Sequence, residues 1–227
     1  MTEQVFHSVK LLEKKIITPN IWELKFEKPT GFIFQAGQFV QFKVPAGGES
    51  ALRSYSISSE PKENYLEFCI KYLPDGKASQ FFDTLEIGDG AWLSNPKGVF
   101  TCANDTGLKK YFIATGTGLA PIMAMLEAGE ATSAEQKLLF GVRTEEDIFW
   151  LPRLQALHGR TNRFTFEVAL SRPSEDWTGK RGRVIDYVEY DPQAHYYICG
   201  NVEMVKDVRT KLLEKGLNIK SIHFEIF

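Results

Sequence analysis

The chain has 227 residues, enough for one large domain or two domains of modest size. With 43% hydrophobic residues, 25% charged residues and a net charge of −2, it lacks the basic excess typical of nucleic-acid-binding proteins. No apolar run is long enough to span a bilayer, and the polar, acidic start Met1–Gln4 does not resemble a signal peptide. These properties predict a cytoplasmic protein that binds neither nucleic acid nor a membrane.

The cysteines and histidines form no pattern typical of a metal site. The three cysteines, Cys69, Cys102 and Cys199, are far apart, and no CxxC spacing occurs. The four histidines form no pair at helical spacing that could ligate a metal together. The sequence therefore predicts no metal site, and the few cysteines fit a reducing compartment.

The first hundred residues predict short strands separated by turns. Six segments are rich in Val, Ile, Phe and Tyr, and Gly- or Pro-containing turns such as 45–48 separate them. This pattern favours a closed six-stranded antiparallel β-barrel, with one short helix at Ala78–Leu85. The predicted strands are Val5–Ile17, Ile21–Glu27, Gln38–Val44, Arg53–Ser58, Tyr65–Tyr72 and Ala91–Ser94.

The second half alternates strands with helices, which predicts a doubly wound parallel α/β domain. Predicted strands are Tyr111–Ala114, Lys137–Val142, Phe164–Ala169, Tyr196–Cys199 and Ile219–Ile226. Predicted helices are Leu119–Ala128, Leu151–His158, Val184–Glu189 and Val202–Lys215. The small, polar segment within Thr101–Lys109 marks the expected boundary, so that residues 1–104 form one domain and residues 105–227 the other.

Two segments of the first half could bind a flavin. On the strand Arg53-Ser54-Tyr55-Ser56, the side chains of Arg53 and Tyr55 share a face. Arg53 suits a phosphate and Tyr55 an aromatic ring, while Ser56 could form a hydrogen bond with a ring nitrogen. An ordinary polar edge strand fits this tetrapeptide equally well. Gly76-Lys77-Ala78-Ser79 opens a helix, whose free N–H groups and Ser79 hydroxyl could cradle a phosphate, although a simple N-cap after a turn is common.

The second half carries a strand, a Gly-rich turn and a helix, an arrangement suited to a dinucleotide pyrophosphate. The turn is Thr115-Gly116-Thr117-Gly118, and Pro121 stands near the place of the third glycine of a full G-x-G-x-x-G motif. Arg143, Ser171-Arg172 and Arg183 follow later strands, and their guanidinium groups favour a 2′-phosphate and hence NADP over NAD. A solvated basic loop is the alternative, since acidic residues interleave there.

The order of these segments resembles the ferredoxin–NADP reductase superfamily over essentially the whole chain. Arg53–Ser56 matches the family motif R-x-Y-S, and Gly76–Ser79 matches G-x-x-S. Gly116–Pro121 matches G-T-G-x-x-P, and Cys199–Met204 matches C-G-x-x-x-M. The segment 96–100 is similar to the turn G-P-x-G-x-F, except that Asn95 replaces its first glycine. The resemblance implies FAD as cofactor and NADPH as co-substrate, with NADH as a possible substitute.

The resemblance also implies roles for individual residues. Arg53 would hold the pyrophosphate, Tyr55 would flank the flavin ring and Ser56 would contact flavin N5. Ser171-Arg172 and Arg183 would bind the 2′-phosphate, and Cys199 would lie beside the nicotinamide. The predicted catalytic residues are Ser56, Cys199, Glu225 and the terminal, ring-stacking Phe227. The predicted cofactor-binding residues are Arg53, Ser54, Tyr55, Ser56, Lys71, Gly76, Lys77, Ala78, Ser79, Thr115, Gly116, Thr117, Gly118, Pro121, Arg143, Ser171, Arg172, Arg183, Cys199, Gly200, Met204 and Phe227.

The function predicted from the sequence is transfer of hydride between NADPH and flavin N5 by a monomeric FAD-dependent oxidoreductase. Electrons would pass to or from a separate carrier protein such as ferredoxin or flavodoxin. Three alternatives use the same architecture. They are an NAD(P)H–flavin reductase that binds flavin as a substrate, an NADH-dependent reductase component of an oxygenase, and an electron-transfer subunit that is inactive outside a larger complex.

Overall fold

A computed structural model describes residues 5–46, 48–102, 107–129 and 134–227. The expected domain boundary at residues 104–105, the segment Met1–Gln4 and part of the turn at 45–48 lie outside these ranges. The strands are β1 (Phe6–Thr18), β2 (Ile21–Glu27), β3 (Phe39–Ala46), β4 (Glu49–Ser56), β5 (Tyr65–Lys71), β6 (Gly90–Ser94), β7 (Lys110–Thr115), β8 (Gln136–Val142), β9 (Phe164–Leu170), β10 (Lys180–Arg181), β11 (His195–Gly200) and β12 (Ile222–Ile226). The helices are α1 (Lys77–Thr84), α2 (Leu119–Ala128), α3 (Leu151–Arg160) and α4 (Val202–Glu214).

The first sheet is antiparallel and barrel-like, in the order β4-β3-β6-β1-β2-β5. Its two outer strands meet just beyond the end of β4, where Ile57 pairs with Phe68 and the Ser58 N–H donates to the Glu67 carbonyl at 2.8 Å. This contact brings the edges of the sheet together, so the predicted barrel is confirmed.

Aromatic side chains fill the interior of the barrel. Phe26, Phe42 and Phe68 are fully buried, and the Phe42 and Phe68 rings meet edge to face with centroids 5.0 Å apart. Helix α1 adds Phe82, whose ring lies 5.2 Å from that of Phe42 and 5.4 Å from that of Tyr55. Helix α1 therefore closes one end of the barrel through Phe82, and it lies beside the strand that carries Tyr55.

The second sheet is parallel, in the order β10-β9-β8-β7-β11-β12. Helices α2 and α3 pack on one face, and α4 packs on the other. Helices on both faces of a parallel sheet confirm the predicted doubly wound domain. The carboxyl ends of β7, β8, β9 and β11 consequently meet along one edge of the sheet.

Three of the predicted elements differ clearly in the structure. The expected strand Arg53–Ser58 runs from Glu49 to Ser56. The expected helix Val184–Glu189 is a single 3₁₀ turn, Val184–Tyr187. The expected strand Ile219–Ile226 begins only at Ile222, because Asn218 caps a 3₁₀ turn by accepting a hydrogen bond from the Lys220 N–H at 3.0 Å. Strand β10 was not predicted, since a strand of two residues is too short to show a periodic pattern.

The two sheets share an apolar core. Residues Leu119–Leu126 of α2 are buried, and Ile21, Cys69 and Phe100 from the first hundred residues pack in the same cluster as this helix. Helix α2 is therefore enclosed between the parallel sheet and the barrel. Among the described residues, no helix is both long and apolar enough to cross a bilayer.

We predict that Phe82→Ala destabilises the protein by about 3–5 kcal/mol, because it removes a fully buried ring from the end of the barrel. Urea unfolding followed by circular dichroism measures this change. Phe81→Ala is the matched control, since Phe81 lies on the same helix but is only partly buried. This substitution should lower the free energy of unfolding clearly less than Phe82→Ala does. Equal losses for the two variants would contradict the closing role of Phe82.

Candidate active site

The Gly-rich turn after β7 lies directly against the end of β11. Gly116–Gly118 forms a 3₁₀ turn before α2, and Gly116 has a φ of +54°. A Cβ atom on Gly118 would overlap the carbonyl of Cys199, so only glycine allows the two backbones to come this close. Pro121 lies buried in the first turn of α2, where proline is tolerated. The Leu119 N–H at the start of α2 donates to the Gly116 and Thr117 carbonyls, whereas no side chain caps the N–H groups of the turn itself.

The end of β11 fits the same turn from the other side. Gly200 has a φ of +149°, and a Cβ atom there would overlap the Thr115 hydroxyl oxygen. That oxygen accepts a hydrogen bond from the Asn201 N–H at 3.3 Å, and the Asn201 side chain caps α4 by accepting from the Met204 N–H at 2.8 Å. The structure thus brings two separate sequence motifs together at one edge of the sheet.

Cys199 and Glu225 are neighbours across β11 and β12. The parallel register pairs Cys199 with Glu225, and the Phe227 N–H donates to the Gly200 carbonyl at 3.1 Å. Burial raises the pKa of the Cys199 thiol well above its ordinary value, and the nearby Glu225 carboxylate raises it further. Cys199 is therefore a neutral thiol, which is poorly suited to act as a nucleophile.

Two buried side-chain oxygens in the described part of the chain lack a hydrogen-bond partner: Ser56 Oγ and Glu225 Oε2. Burial raises the pKa of Glu225 from its ordinary 4.5 to about 7. Buried polar atoms are almost always paired in native proteins, so an unpaired one indicates a group that binds there. Both atoms belong to residues that the sequence predicted to be catalytic.

The strand that carries Ser56 also carries Arg53, Ser54 and Tyr55. Arg53 and Ser54 are exposed, and the Arg53 guanidinium makes a hydrogen bond to the Leu52 carbonyl at 2.9 Å. Tyr55 is half-buried against Phe82, and burial raises its pKa to about 12. The phenol of Tyr55 is therefore neutral, and its ring forms part of an apolar wall.

Helix α1 begins beside this strand without a side-chain cap. Gly76 precedes it in an extended conformation, and Lys77 is exposed, whereas Ala78 and Ser79 are buried. The Ser79 hydroxyl accepts a hydrogen bond from the Leu73 N–H at 2.9 Å, so it shapes the preceding loop as well. Lys71 is exposed at the end of β5. The first N–H groups of the helix remain available to an anion.

Four residues predicted to bind the dinucleotide follow adjacent strands. The Arg172 N–H donates to the Arg143 carbonyl at 2.8 Å, and the Ser171 N–H donates to the Val142 carbonyl at 3.1 Å, which aligns the loops after β8 and β9. The Gly182 N–H donates to Leu170, which brings Arg183 to the same edge. The side chains of Arg143, Ser171, Arg172 and Arg183 are all exposed.

The sequence analysis missed a polar cluster at the domain interface. Arg153 of α3 forms ion pairs with Glu67 of β5 and Glu127 of α2, and the Trp150 indole N–H donates to Glu23 of β2. One signal was available: Glu67 interrupts an otherwise apolar run in β5, and a buried carboxylate needs a partner. Its partner is distant in sequence, so the pattern along the chain does not reveal it.

Comparison with known proteins agrees with this geometry. The family model of the oxidoreductase FAD-binding domain matches residues 8–102, and that of the oxidoreductase NAD-binding domain matches residues 112–210. A ferredoxin–NADP reductase B from Sorangium cellulosum is 34% identical over 95% of this chain and 95% of its own length. The chain belongs to the ferredoxin–NADP reductase family. This ferredoxin–NADP reductase family member is thus an oxidoreductase with an FAD-binding and an NAD(P)-binding half, which confirms the predicted cofactor classes.

Solved structures show the same architecture. A ferredoxin–NADP⁺ reductase from Neisseria gonorrhoeae, with FAD and NADP bound, superposes with a TM-score of 0.88 at 26% identity and covers 99% of both chains.

A second relative by sequence is the toluate 1,2-dioxygenase electron transfer component of Pseudomonas putida, which is 31% identical over 86% of this chain. This chain spans only 59% of that longer protein.

The residues present fit an FAD group. The unpaired Ser56 hydroxyl is a hydrogen-bond donor, and the neutral Tyr55 ring is an apolar surface. The uncapped start of α1 is a site for an anion. All three lie on adjacent elements of the barrel, since α1 packs on the ring of Tyr55. This combination of donors matches the chemistry of a flavin with a pyrophosphate.

We predict that Gly118→Ala lowers the affinity for NADP(H) by about tenfold or more, because the added methyl group pushes the Gly-rich turn away from Cys199. FAD binding should stay unchanged. Titration of the flavin spectrum with NADP⁺ measures both. Gly159→Ala, at an open position in α3, is the control and should bind like the wild type. Unchanged affinity in Gly118→Ala would show that the close approach is dispensable.

We predict that Glu225→Gln gains thermal stability relative to the wild type as the pH rises through the range from about 4.5 to about 7. Burial makes the folded protein hold the Glu225 proton more tightly than the unfolded chain. Raising the pH through this window therefore destabilises the wild type, while a glutamine does not titrate. Melting temperatures of both proteins at pH 5 and pH 8 test the sign, and a constant difference would contradict it.

Proposed function

We propose that this protein is an NADPH-dependent FAD oxidoreductase that exchanges electrons with a separate carrier protein such as ferredoxin or flavodoxin. The observation that carries the proposal is the pair of unpaired buried oxygens, Ser56 Oγ and Glu225 Oε2, one in each half of the chain. Bound FAD would supply the redox chemistry, namely acceptance of a hydride from NADPH at ring nitrogen N5 and return of electrons to the carrier one at a time. We further propose that the protein is a cytoplasmic monomer.

The barrel residues would hold the FAD. Arg53 suits the pyrophosphate because its planar guanidinium binds two phosphate oxygens at once. The N–H groups at Lys77 and Ala78 would complete the phosphate site, with the helix dipole adding positive potential. Tyr55 would cover the flavin ring, and Ser56 would donate its unpaired hydroxyl to N5.

The parallel-sheet residues would hold NADPH. The N–H groups of Gly116–Gly118, which no side chain caps, would face the pyrophosphate, and the edge formed by Arg143, Ser171-Arg172 and Arg183 suits the 2′-phosphate. Cys199 would orient the nicotinamide through its buried, neutral side chain. The aromatic Phe227, half-exposed and held by its N–H to Gly200, would cover the flavin ring until the nicotinamide displaces it.

Glu225 is suited to hold a proton during turnover. Its pKa of about 7 keeps both protonation states populated at neutral pH, because burial disfavours the charged form. Glu225 would therefore exchange a proton with solvent as electrons enter and leave the site, while Ser56 orients the reacting nitrogen.

A second candidate function is that of a reductase component of an oxygenase. The similarity to the Pseudomonas putida electron transfer component favours it. That protein is longer, and this chain spans 59% of it. The two functions differ in the preferred dinucleotide, since we expect an oxygenase component to use NADH.

We predict that the purified protein retains FAD and that its flavin is reduced faster by NADPH than by NADH. Arg172→Ala should lower kcat/KM for NADPH by about ten- to a hundredfold, since a charge-assisted hydrogen bond contributes about 1.5–3 kcal/mol. The value for NADH should not change, because NADH has no 2′-phosphate. Steady-state reduction of an artificial electron acceptor measures both constants.

Lys206→Ala is the control for removal of one positive charge, since Lys206 is an exposed residue of α4. It should leave both constants unchanged. A preference for NADH in the wild type would favour the oxygenase component. An unchanged preference in Arg172→Ala would show that the 2′-phosphate binds elsewhere.

A further inference from the structure

The interface between the two sheets contains a polar cluster around the guanidinium group of Arg153. On one side, Arg153 Nη1 donates to Glu67 Oε1 at 2.7 Å, and Nη2 donates to the Ser58 carbonyl at 3.4 Å. On the other side, Nε and Nη2 bind both oxygens of Glu127, at 2.5 and 2.8 Å. One side chain therefore connects the barrel with two helices of the NAD(P)-binding half.

Both ends of this connection continue into the proposed cofactor sites. Ser58 lies two residues beyond Ser56 on the same segment, and the Ser58 hydroxyl donates to Glu67 at 2.9 Å. Glu127 belongs to α2, the helix that begins at the Gly-rich turn. The Gly-rich turn itself lies against β5, the strand that carries Glu67. Arg153 thus joins the segment proposed to bind the flavin to the helix proposed to bind the dinucleotide.

The backbone around Arg153 is strained in a way that serves this contact. Trp150 is the sole non-glycine residue with a positive φ in the described parts of the chain, at φ 56° and ψ 19°. It is buried, its indole N–H donates to Glu23 at 2.6 Å, and its ring lies 4.7 Å from the Arg153 guanidinium. A left-handed tryptophan persists only where its surroundings over-determine it, so the interface holds α3 in one orientation.

Three carboxylates surround the single guanidinium. Glu23, Glu67 and Glu127 have side chains 11%, 4% and 14% exposed. Burial raises the pKa of Glu127, and the hydrogen bonds from Arg153 oppose that rise. A flexible ammonium group could not bind Glu67 and both oxygens of Glu127 together, whereas the rigid fork of arginine does. The geometry therefore requires arginine and not merely a positive charge.

We propose that Arg153 is a positioning residue that sets the distance between the nicotinamide and the flavin by clamping β5 and the Ser56–Ser58 segment to α2. This inference rests on the proposed function. Small misplacements of two reacting groups reduce rates strongly, so loss of the clamp should slow electron transfer while both cofactors still bind.

The test compares Arg153→Met, Arg153→Lys and Glu67→Gln in the FAD-loaded protein by anaerobic stopped-flow reduction with NADPH. We expect the limiting rate of flavin reduction to fall by about tenfold or more in all three. The NADPH concentration at half-saturation should stay within about threefold, as should FAD affinity. The long-wavelength charge-transfer absorbance of the complex should weaken, which a merely structural role would not cause.

Glu127→Gln removes the carboxylate that ties Arg153 to α2, the other end of the clamp. It should slow the limiting rate by a factor similar to that of Glu67→Gln, since either change breaks the connection between β5 and α2. Gln155→Met, on the exposed side of α3, should match the wild type. In the FAD-free protein, deuterium exchange should rise in segments 56–68 and 119–128 in Arg153→Met and Glu67→Gln, which tests the clamp without any activity measurement.

An unchanged limiting rate in Arg153→Met, or a loss explained entirely by weaker FAD or NADPH binding, would overturn the proposal. So would an unchanged limiting rate in Glu127→Gln. If Arg153→Met does not fold, the isosteric Glu67→Gln decides the outcome. Failure of the proposed function is distinguishable, because the wild-type flavin would then be reduced by neither NADPH nor NADH before any variant is compared.

Discussion

Burial of helix α2 on both of its sides is the constraint on which the rest of the structure depends. Its residues from Leu119 to Leu126 pack against the parallel sheet and against Ile21, Cys69 and Phe100 from the first half of the chain. The helix cannot move relative to either half without opening an apolar core, which would expose several fully buried side chains to water. Its N-terminus, and the Gly-rich turn before it, therefore have a fixed place beside the barrel.

Within this apolar frame, two buried polar atoms of the described residues have no hydrogen-bond partner. An unpaired buried oxygen lowers the free energy of unfolding by about 1–3 kcal/mol, so Ser56 Oγ and Glu225 Oε2 each make the folded protein less stable. A bound cofactor would supply the missing partners. Cys199 lies beside Glu225 and stays neutral because it is buried, so it shapes the site without reacting.

The ferredoxin–NADP reductase fold joins two halves that bind different cofactors, and their chemistry needs a defined separation. Apolar packing around α2 brings the halves together, but packing alone is non-directional. The hydrogen bonds of Arg153 and the left-handed Trp150 add direction at the same interface. Orientation of the two halves therefore rests on polar contacts, and their adhesion rests on the apolar core.

Local sequence patterns were sufficient for most strands and for the helices that follow Gly or Asn, because turn chemistry and periodicity act over a few residues. Strand β2 matched its predicted bounds, and α4 begins at Val202 as its Asn201 cap predicted. Strand β10 and the 3₁₀ turn at Val184 did not follow from the pattern, since two residues have no period and a single turn resembles a helix start.

The sequence by itself determined the order of the two halves and the motifs at Arg53–Ser56, Gly116–Pro121 and Cys199–Met204, because each is a local arrangement of strand, turn and helix. Tertiary structure alone decided that Gly118 touches Cys199, that Cys199 pairs with Glu225, and that Arg153 reaches Glu67. These contacts join residues far apart in the chain. Their geometry depends on sheet register and domain packing, which no local pattern encodes.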